Sequence, residues 1–302
     1  MVDLGIVIEG QNGLTWPRWK RITAHAEEWG FESIFRSDHF VNPDGPHKAS
    51  LDLWISLSWL AENTEDLSFG SLVTPMSFRH PVHTARMAKD VENLTDGRME
   101  LGIGAGWQTR EHEMFGFDLL DIPSRFDRFE EGVTVVDLLL RNREPVSYEG
   151  EYYQLDEAIL GPPTNRPTDV PLIVGGNGES RTLPLAAEYA SEWNGVHLTP
   201  MEFADLNASL DRCIAESSRS LDDIRRSVTI QTLCGRDKTE IENLLAGRSR
   251  EDLCAQGWVV GTPTEISEQV TAYSEAGADR VLLQWLELDD LDRLQAMVDV
   301  IL

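Results

Sequence analysis

Four short stretches carry residue types that could act together chemically. The first is Arg36-Ser37-Asp38-His39-Phe40, which closes a short apolar run at Ser33–Phe35. An imidazole with an unperturbed pKa near 6.5 suits proton transfer close to neutrality, or a hydrogen bond to developing charge. His39 is therefore a candidate catalytic residue, although a lone histidine also fits a packing role. The second stretch, 99–116, reads M-E-L-G-I-G-A-G-W-Q-T-R-E-H-E-M-F-G. Met99, Leu101 and Ile103 alternate as in a strand, and Gly102, Gly104 and Gly106 leave room for a close backbone or a flat ligand. A strand ending in Ala105, Gly106 and Trp107, with a carboxylate at Glu111, is a plausible floor for a planar cofactor. A tight barrel corner followed by an ordinary loop explains the same residues. The glycines fail as a dinucleotide fingerprint, because no helix opens on the last of them. Glu111, His112 and Glu113 would by composition be a solvated charge run; only Glu111 looks placed, and it is the second candidate catalytic residue after His39.

The third stretch, Gly175–Thr182, reads G-G-N-G-E-S-R-T. A strand, a glycine turn and a helix start aim free backbone N–H groups at one point, which makes an anion site. Arg181 can add charge there, and three glycines are more than a simple cap needs. The fourth is Leu67–Val73, an apolar run that ends in Thr74-Pro75. Asp52, before an apolar helix, is either a helix-start residue or a buried partner for an arginine such as Arg79.

These stretches need elements to hold them. Strand-like segments at Leu4–Ile8, Ser33–Phe35, Leu67–Val73, 99–104, Leu172–Val174, Trp193–His197, Val228–Leu233 and Arg280–Trp285 alternate with amphipathic segments. Helices are expected after Thr15, over Leu51–Glu62, over Pro81–Leu94, from an N-cap at Ser124, over Ser180–Ala190, near Met201–Ser217, over Pro263–Ala276 and over Leu291–Leu302. The turn Thr95-Asp96-Gly97-Arg98 feeds the 99–104 strand. Eight strand–helix repeats imply a closed (β/α)8 TIM barrel better than an open sheet. One domain over residues 1–302 is expected, with an insertion around 144–170. That insertion holds a hairpin at Val146–Leu155 and a proline-rich excursion at Gly161–Pro171. In such a barrel the site lies at the C-terminal strand ends, where all four stretches fall together with Asn194 to His197.

Composition narrows the function. The 302 residues carry 52 acidic and 26 basic side chains, a formal net charge of −26 that repels nucleic acid and anionic membranes. Lysine occurs only at positions 20, 48, 89 and 238. No apolar run reaches a membrane span, and the N-terminus enters a strand without the pattern of a secretory signal. Cys213, Cys234 and Cys254 lie far apart, without metal-ligand spacing, so reduced thiols in a cytoplasmic protein and no metal site are expected.

Taken together and in order, these segments resemble the luciferase-like flavin and deazaflavin oxidoreductases, nearly end to end. The likeness also runs through Gly70–Pro75, Arg79-His80-Pro81, Tyr148–Tyr153 and Gly261-Thr262-Pro263. The spelling of Gly175–Leu183 is most similar to the branch that uses coenzyme F420, an 8-hydroxy-5-deazaflavin. The resemblance implies a cofactor lying across the strand ends, lined by Asp38, Thr74, Ala105, Gly106 and Trp107. Gly175, Gly176, Ser180, Arg181 and Thr182 would surround its phosphate, His39 would be the active-site histidine, and Ser71-Leu72 would form a non-proline cis peptide under the ring. It also implies a homodimer acting on a small-molecule substrate. The family's sugar-phosphate dehydrogenases carry a catalytic glutamate where this chain has Trp107, and lysines where it has Val196–Thr199. Both departures argue against a sugar phosphate. The expected reaction is hydride transfer with an alcohol or carbonyl, an activated alkene or an imine. An FMN-dependent monooxygenase and a non-catalytic flavin-binding protein are the alternatives.

Overall fold

The computed structural model describes residues 2–95, 97–161 and 170–302. Eight parallel strands close into a barrel: β1 (Asp3–Ile8), β2 (Ser33–Arg36), β3 (Ser68–Pro75), β4 (Met99–Gly104), β7 (Leu172–Gly175), β8 (Glu192–Val196), β9 (Arg225–Cys234) and β11 (Arg280–Gln284). Closure comes from β9, which pairs with β8 on one side and β11 on the other. An antiparallel hairpin, β5 (Val146–Glu149) and β6 (Gln154–Ala158), stands outside the barrel where an insertion was expected. Asp96 and most of the proline-rich excursion lie outside the described residues.

The helices follow the apolar periodicity. They are α1 (Trp16–Glu28), α2 (Leu53–Ala61), α3 (Pro81–Glu92), α4 (Thr109–Phe115), α5 (Ile122–Arg141), α6 (Thr182–Tyr189), α7 (Pro200–Glu216), α8 (Lys238–Leu245), α9 (Arg250–Ala255), α10 (Pro263–Glu275) and α11 (Leu291–Ile301). In α1, Trp19, Ile22 and Ala26 form the buried face. Both α7 and α10 open on Thr-Pro with reciprocal capping boxes, Thr199 with Glu202 and Thr262 with Glu265. The N-cap of α5 is Asp121 rather than Ser124. Its carboxylate accepts the Ser124 N–H, and Pro123 lies inside the first turn.

Four further elements were not legible from periodicity: α4, α8, α9 and β10 (Val259–Gly261). The last extends the sheet by pairing with the upper end of β9.

Inside the barrel the side chains form layers. Arg280, Glu100 and Glu192 occupy the lower end, beside Glu32 and Arg225. Val7, Phe35, Leu72, Ile173 and Leu282 form an apolar plug above them. Above the plug, at the C-terminal strand ends, a cavity of about 1120 Å³ opens.

Candidate active site

The floor of the cavity is made by an irregularity in β3. Pairing with β4 is regular up to Ser71–Leu101 and resumes at Thr74–Ile103. The non-proline cis peptide lies in between, at Leu72–Val73, one residue beyond the expected Ser71–Leu72 bond. The reason is that Ser71 is still held in the ladder. Its hydroxyl donates to Gly102 O and accepts from Gly102 N, so Ser71 is fully buried away from the cavity. Val73 leans toward β4 and β7, where a Cβ on Gly104 would stand 2.6 Å from Val73 Cγ2 and one on Gly175 2.8 Å from Cγ1. A Cβ on Gly102 would stand 2.1 Å from Ser71 O. The glycines of this strand therefore admit another backbone, and the surface they leave is Leu72, Val73, Ala105 and Gly106.

His39 projects from the end of β2. Its Nδ1 lies 2.7 Å from Glu111 Oε1, and Glu111 Oε2 accepts the Phe40 N–H at 2.9 Å. Glu111 is 1% exposed, delivered by the first turn of α4. A carboxylate only accepts, so His39 carries a proton on Nδ1 and turns Nε2, which has no partner among the described residues, toward the cavity. Burial disfavours the imidazolium, but the Glu111 hydrogen bond and the charges of Glu9, Glu111 and Asp38 outweigh it and raise the His39 pKa. Trp107, 60% exposed at the cavity mouth, meets the His39 ring edge-on at 5.8 Å.

Several expected ligand residues stand elsewhere. Asp38 and Thr74 are tied to each other at 2.6 Å, and Asp38 also receives Arg79. Both are buried beside the cavity rather than lining it, because Arg79 takes the Asp38 carboxylate. Asp52 is free of Arg79 and caps α2 through the Ile55 N–H. Arg181 pairs with Asp127 at 2.7 Å and Glu130 at 3.1 Å on α5, and stacks over Phe126. Ser180 and Arg181 do not line the cavity, whereas Gly175, Gly176, Gly178 and Thr182 do. The N–H groups of Gly178, Glu179, Ser180 and Arg181 have no acceptor among the described residues, while those of Thr182 and Leu183 bond to Gly178 O. His112 is buried rather than solvated: Nδ1 meets Gln108 O at 2.6 Å and Nε2 meets Ser77 Oγ at 2.7 Å.

The opposite wall was largely missed. Glu9, one residue beyond β1, accepts from Gln284 Nε2, Gln11 Nε2 and Ser37 Oγ at 2.5, 2.5 and 2.6 Å. Gln284 in turn meets His197. A polar residue directly after a strand of five buried residues was the available signal. Among the described residues no cluster of three metal-ligating side chains occurs.

The model of the luciferase-like monooxygenase family matches residues 3–250, which include His39, Glu111 and the Gly175–Thr182 turn. The chain belongs to that family. An F420-dependent glucose-6-phosphate dehydrogenase of Intrasporangium calvum is 29% identical over 300 residues, covering 86% of each chain. An F420-dependent hydroxymycolic acid dehydrogenase of Mycobacterium tuberculosis is 29% identical over 183 residues, covering 58% of this chain and 49% of that protein. Among solved structures, an F420-dependent secondary alcohol dehydrogenase in complex with an F420-acetone adduct superposes with a TM-score of 0.87 at 20% identity. It covers 99% of this chain and 98% of its own. A long-chain alkane monooxygenase gives 0.81 at 15% identity, covering 99% and 90%. At these identities the superpositions speak to the fold, which is the luciferase-like TIM barrel.

Proposed function

We propose that this family member is a coenzyme F420-dependent oxidoreductase, transferring a hydride between the deazaflavin C5 and an alcohol or carbonyl, an activated alkene or an imine. The observation that carries the reading is the His39–Glu111 pair at the edge of a glycine-relieved floor. The cofactor is supported by the names of the relatives and by the fit of the residues. The cavity has room for a ring system and a substrate together. The unpaired N–H groups before α6, at the positive end of its dipole, suit a phosphate. When bound, a deazaflavin would supply or accept the hydride; lacking the flavin N5, it behaves as a hydride carrier, whereas reduced FMN activates oxygen.

The chain's own residues do the rest. Leu72, Val73, Ala105 and Gly106 would support the ring. Gly176, Gly178 and Thr182 would bind the phosphate. Nε2 of His39 gives a proton to the substrate oxygen or nitrogen, or takes one from it. Glu111 positions the imidazole and holds its charged form, and Trp107 covers the mouth against water. A homodimer is proposed on the resemblance alone, with sedimentation of the purified protein as its check.

The test is titration of the purified protein with F420 and with FMN. Binding of F420 in the micromolar range or tighter, with FMN weaker, is expected. FMN binding about ten-fold tighter, a difference of about 1.4 kcal/mol, would transfer the site to the monooxygenase reading.

A further inference from the structure

The wall facing the floor has a polarity that can be read atom by atom. The Glu9 carboxylate can only accept, so the Gln284 amide must turn its Nε2 to Glu9. Its Oε1 is then the atom that faces His197, 3.4 Å from Nε2. That oxygen has no hydrogen, so His197 must carry its proton on Nε2. Nδ1 keeps its lone pair and has no partner among the described residues.

His197 is also firmly placed. Its N–H donates to Thr229 O at 2.9 Å, and its backbone is left-handed at φ 52°. A Cβ on Gly257 would lie 2.5 Å from the His197 carbonyl carbon, so the two backbones touch. Burial lowers the His197 pKa, against the opposing pulls of Gln284 and Glu9. More than a third of the residue is exposed, so that lowering is partial, and it acts in the direction that keeps the ring neutral. Ser37 Oγ and one N–H each of Gln11 and Gln284 are spent on Glu9. What remains toward the cavity is a negative charge and mainly acceptor atoms, beside the second N–H of each of these amides and Gln231, which can act in either sense.

We propose that Glu9, Gln284 and His197 select substrates whose end remote from the reacting carbon is a hydrogen-bond donor, a hydroxyl or an amine, and reject phosphate and carboxylate ends. The inference rests on the oxidoreductase reading for the reacting end only. Cations are present at the mouth: Lys48 bonds to Asn12 Oδ1, and Arg248 lies over Trp258 with its N–H groups on the Leu244 and Leu245 carbonyls. Both are exposed, and an anionic end held there is the competing outcome.

The test uses three secondary alcohols that differ only at the far end: hydroxybutanoate, butanediol and aminobutanol. Their binding is measured by calorimetry, with the protein saturated with F420 and again without cofactor. Aminobutanol and butanediol should each bind about ten-fold or more tighter than hydroxybutanoate, the scale set by leaving a buried polar group unpaired. In His197→Lys the carboxylate probe should become the favoured one. In Glu9→Gln the ammonium probe should lose its advantage over the hydroxyl probe, and circular dichroism checks that both variants fold. Equal or tighter binding of hydroxybutanoate by the unaltered protein overturns the proposal. So does an unchanged order in a folded His197→Lys, or no binding of either donor probe at millimolar concentration. Failure of F420 to bind would sink the oxidoreductase reading but leave the order of the three probes readable without cofactor.

Discussion

At the lower end of the barrel Arg280 lies among Glu32, Glu100 and Glu192. At the upper end His39 lies among Glu9, Asp38 and Glu111. Both groups are buried, and an apolar plug separates them. Below, the cation is a guanidinium that cannot lose its charge. It holds Glu100 with two bonds of 3.0 and 3.1 Å, and Glu32 and Glu192 at 3.0 and 3.3 Å. Above, the permanent cations are committed: Arg79 is spent on Asp38, and the buried Arg36, whose charge acts on Asp38 and Glu9, gives its N–H groups to Ser56 and the Leu51 carbonyl. Glu9 is bonded to neutral amides and a hydroxyl, and Glu111 to an imidazole that can take or release its proton. The lower end thus gathers its carboxylates around a charge that cannot be released. The upper end keeps excess negative charge beside a titratable group with one ring nitrogen free. Buried charge at the N-terminal face of such a barrel serves stability, and at the C-terminal face it serves chemistry.

Removing His39 should give the largest functional effect and a small structural one. In His39→Asn the amide can keep a donor near Glu111 but cannot titrate. We expect kcat to fall roughly 10²–10⁴-fold, with cofactor affinity within a few-fold. Single-turnover hydride transfer followed by the deazaflavin absorbance reads it. A normal single-turnover rate would make His39 a packing residue and erase the contrast between the two ends.

The converse experiment is Arg280→Ala. It removes the guanidinium from Glu100 and leaves Glu32 and Glu192 with Arg225 alone, and losing one partner of a buried ion pair costs about 3–5 kcal/mol. Urea unfolding should show that loss, while kcat of the protein that remains folded stays within about two-fold of the unaltered value. Loss of activity without loss of stability would mean the two ends are coupled through the plug.

The two ends also differ in how far they could be read from sequence. The alternation of apolar strands and amphipathic helices gives the barrel. The strand ends give Asp38-His39 and the glycine turn at Gly175–Thr182. Glu111 was visible as a carboxylate but not as a partner of His39. Its helix, T-R-E-H-E-M-F, is too short and polar for an apolar stripe, and the 71-residue separation from Phe40 is bridged only in three dimensions. Asp38 and Arg181 were expected at the cofactor because their chain neighbours belong there. Each had a nearer opposite charge on another element, which spacing along the chain does not reveal. The lower cluster left no trace at all: Glu32, Glu100, Glu192 and Arg280 look like ordinary strand-edge charges until the barrel closes.

Glu192 offers a sharper probe of the lower end. Burial, the largest cause, and the neighbouring Glu100 push its pKa up to about 7, against the pull of Arg280. The folded state therefore keeps a proton that the unfolded chain releases near pH 4.5. Stability from this group is full below that value, falls as pH rises to about 7, and levels off above it, by at most about 3 kcal/mol. Glu192→Gln should flatten this slope, seen as urea midpoints that change less between about pH 5 and pH 8 than in the unaltered protein. An unchanged slope would assign the proton to another member of the cluster.

At the upper end, Glu111→Gln keeps an acceptor for the Phe40 N–H and removes the charge. Without it the imidazolium loses a main support, so His39 should titrate at lower pH. For carbonyl reduction, which consumes the imidazolium proton, the basic limb of the kcat profile should move to lower pH, with kcat reduced above neutrality. A limb that stays in place would show that Glu111 only fixes the ring.

The smallest effect expected is at Arg181. If the upper end holds a cofactor phosphate, the question is whether a full positive charge or the backbone supplies the attraction. Arg181 is the cation nearest the glycine turn in sequence, yet it is about one-third exposed and satisfied by Asp127 and Glu130 on α5. An exposed pair of this kind is worth about 0–1 kcal/mol. The N–H groups from Gly178 to Arg181 have no such partner among the described residues, and they sit at the start of α6, where the helix dipole is positive. Arg181→Ala should therefore change F420 affinity less than about three-fold, with the same salt dependence as the unaltered protein. It frees Asp127 and Glu130, whose repulsion of a phosphate would act in the same direction as loss of the arginine. A loss of ten-fold or more at low salt that disappears at high salt would show that the arginine turns to the phosphate when the cofactor binds. The upper end would then carry a compensating cation after all, and its contrast with the lower end would shrink to the one titratable imidazole.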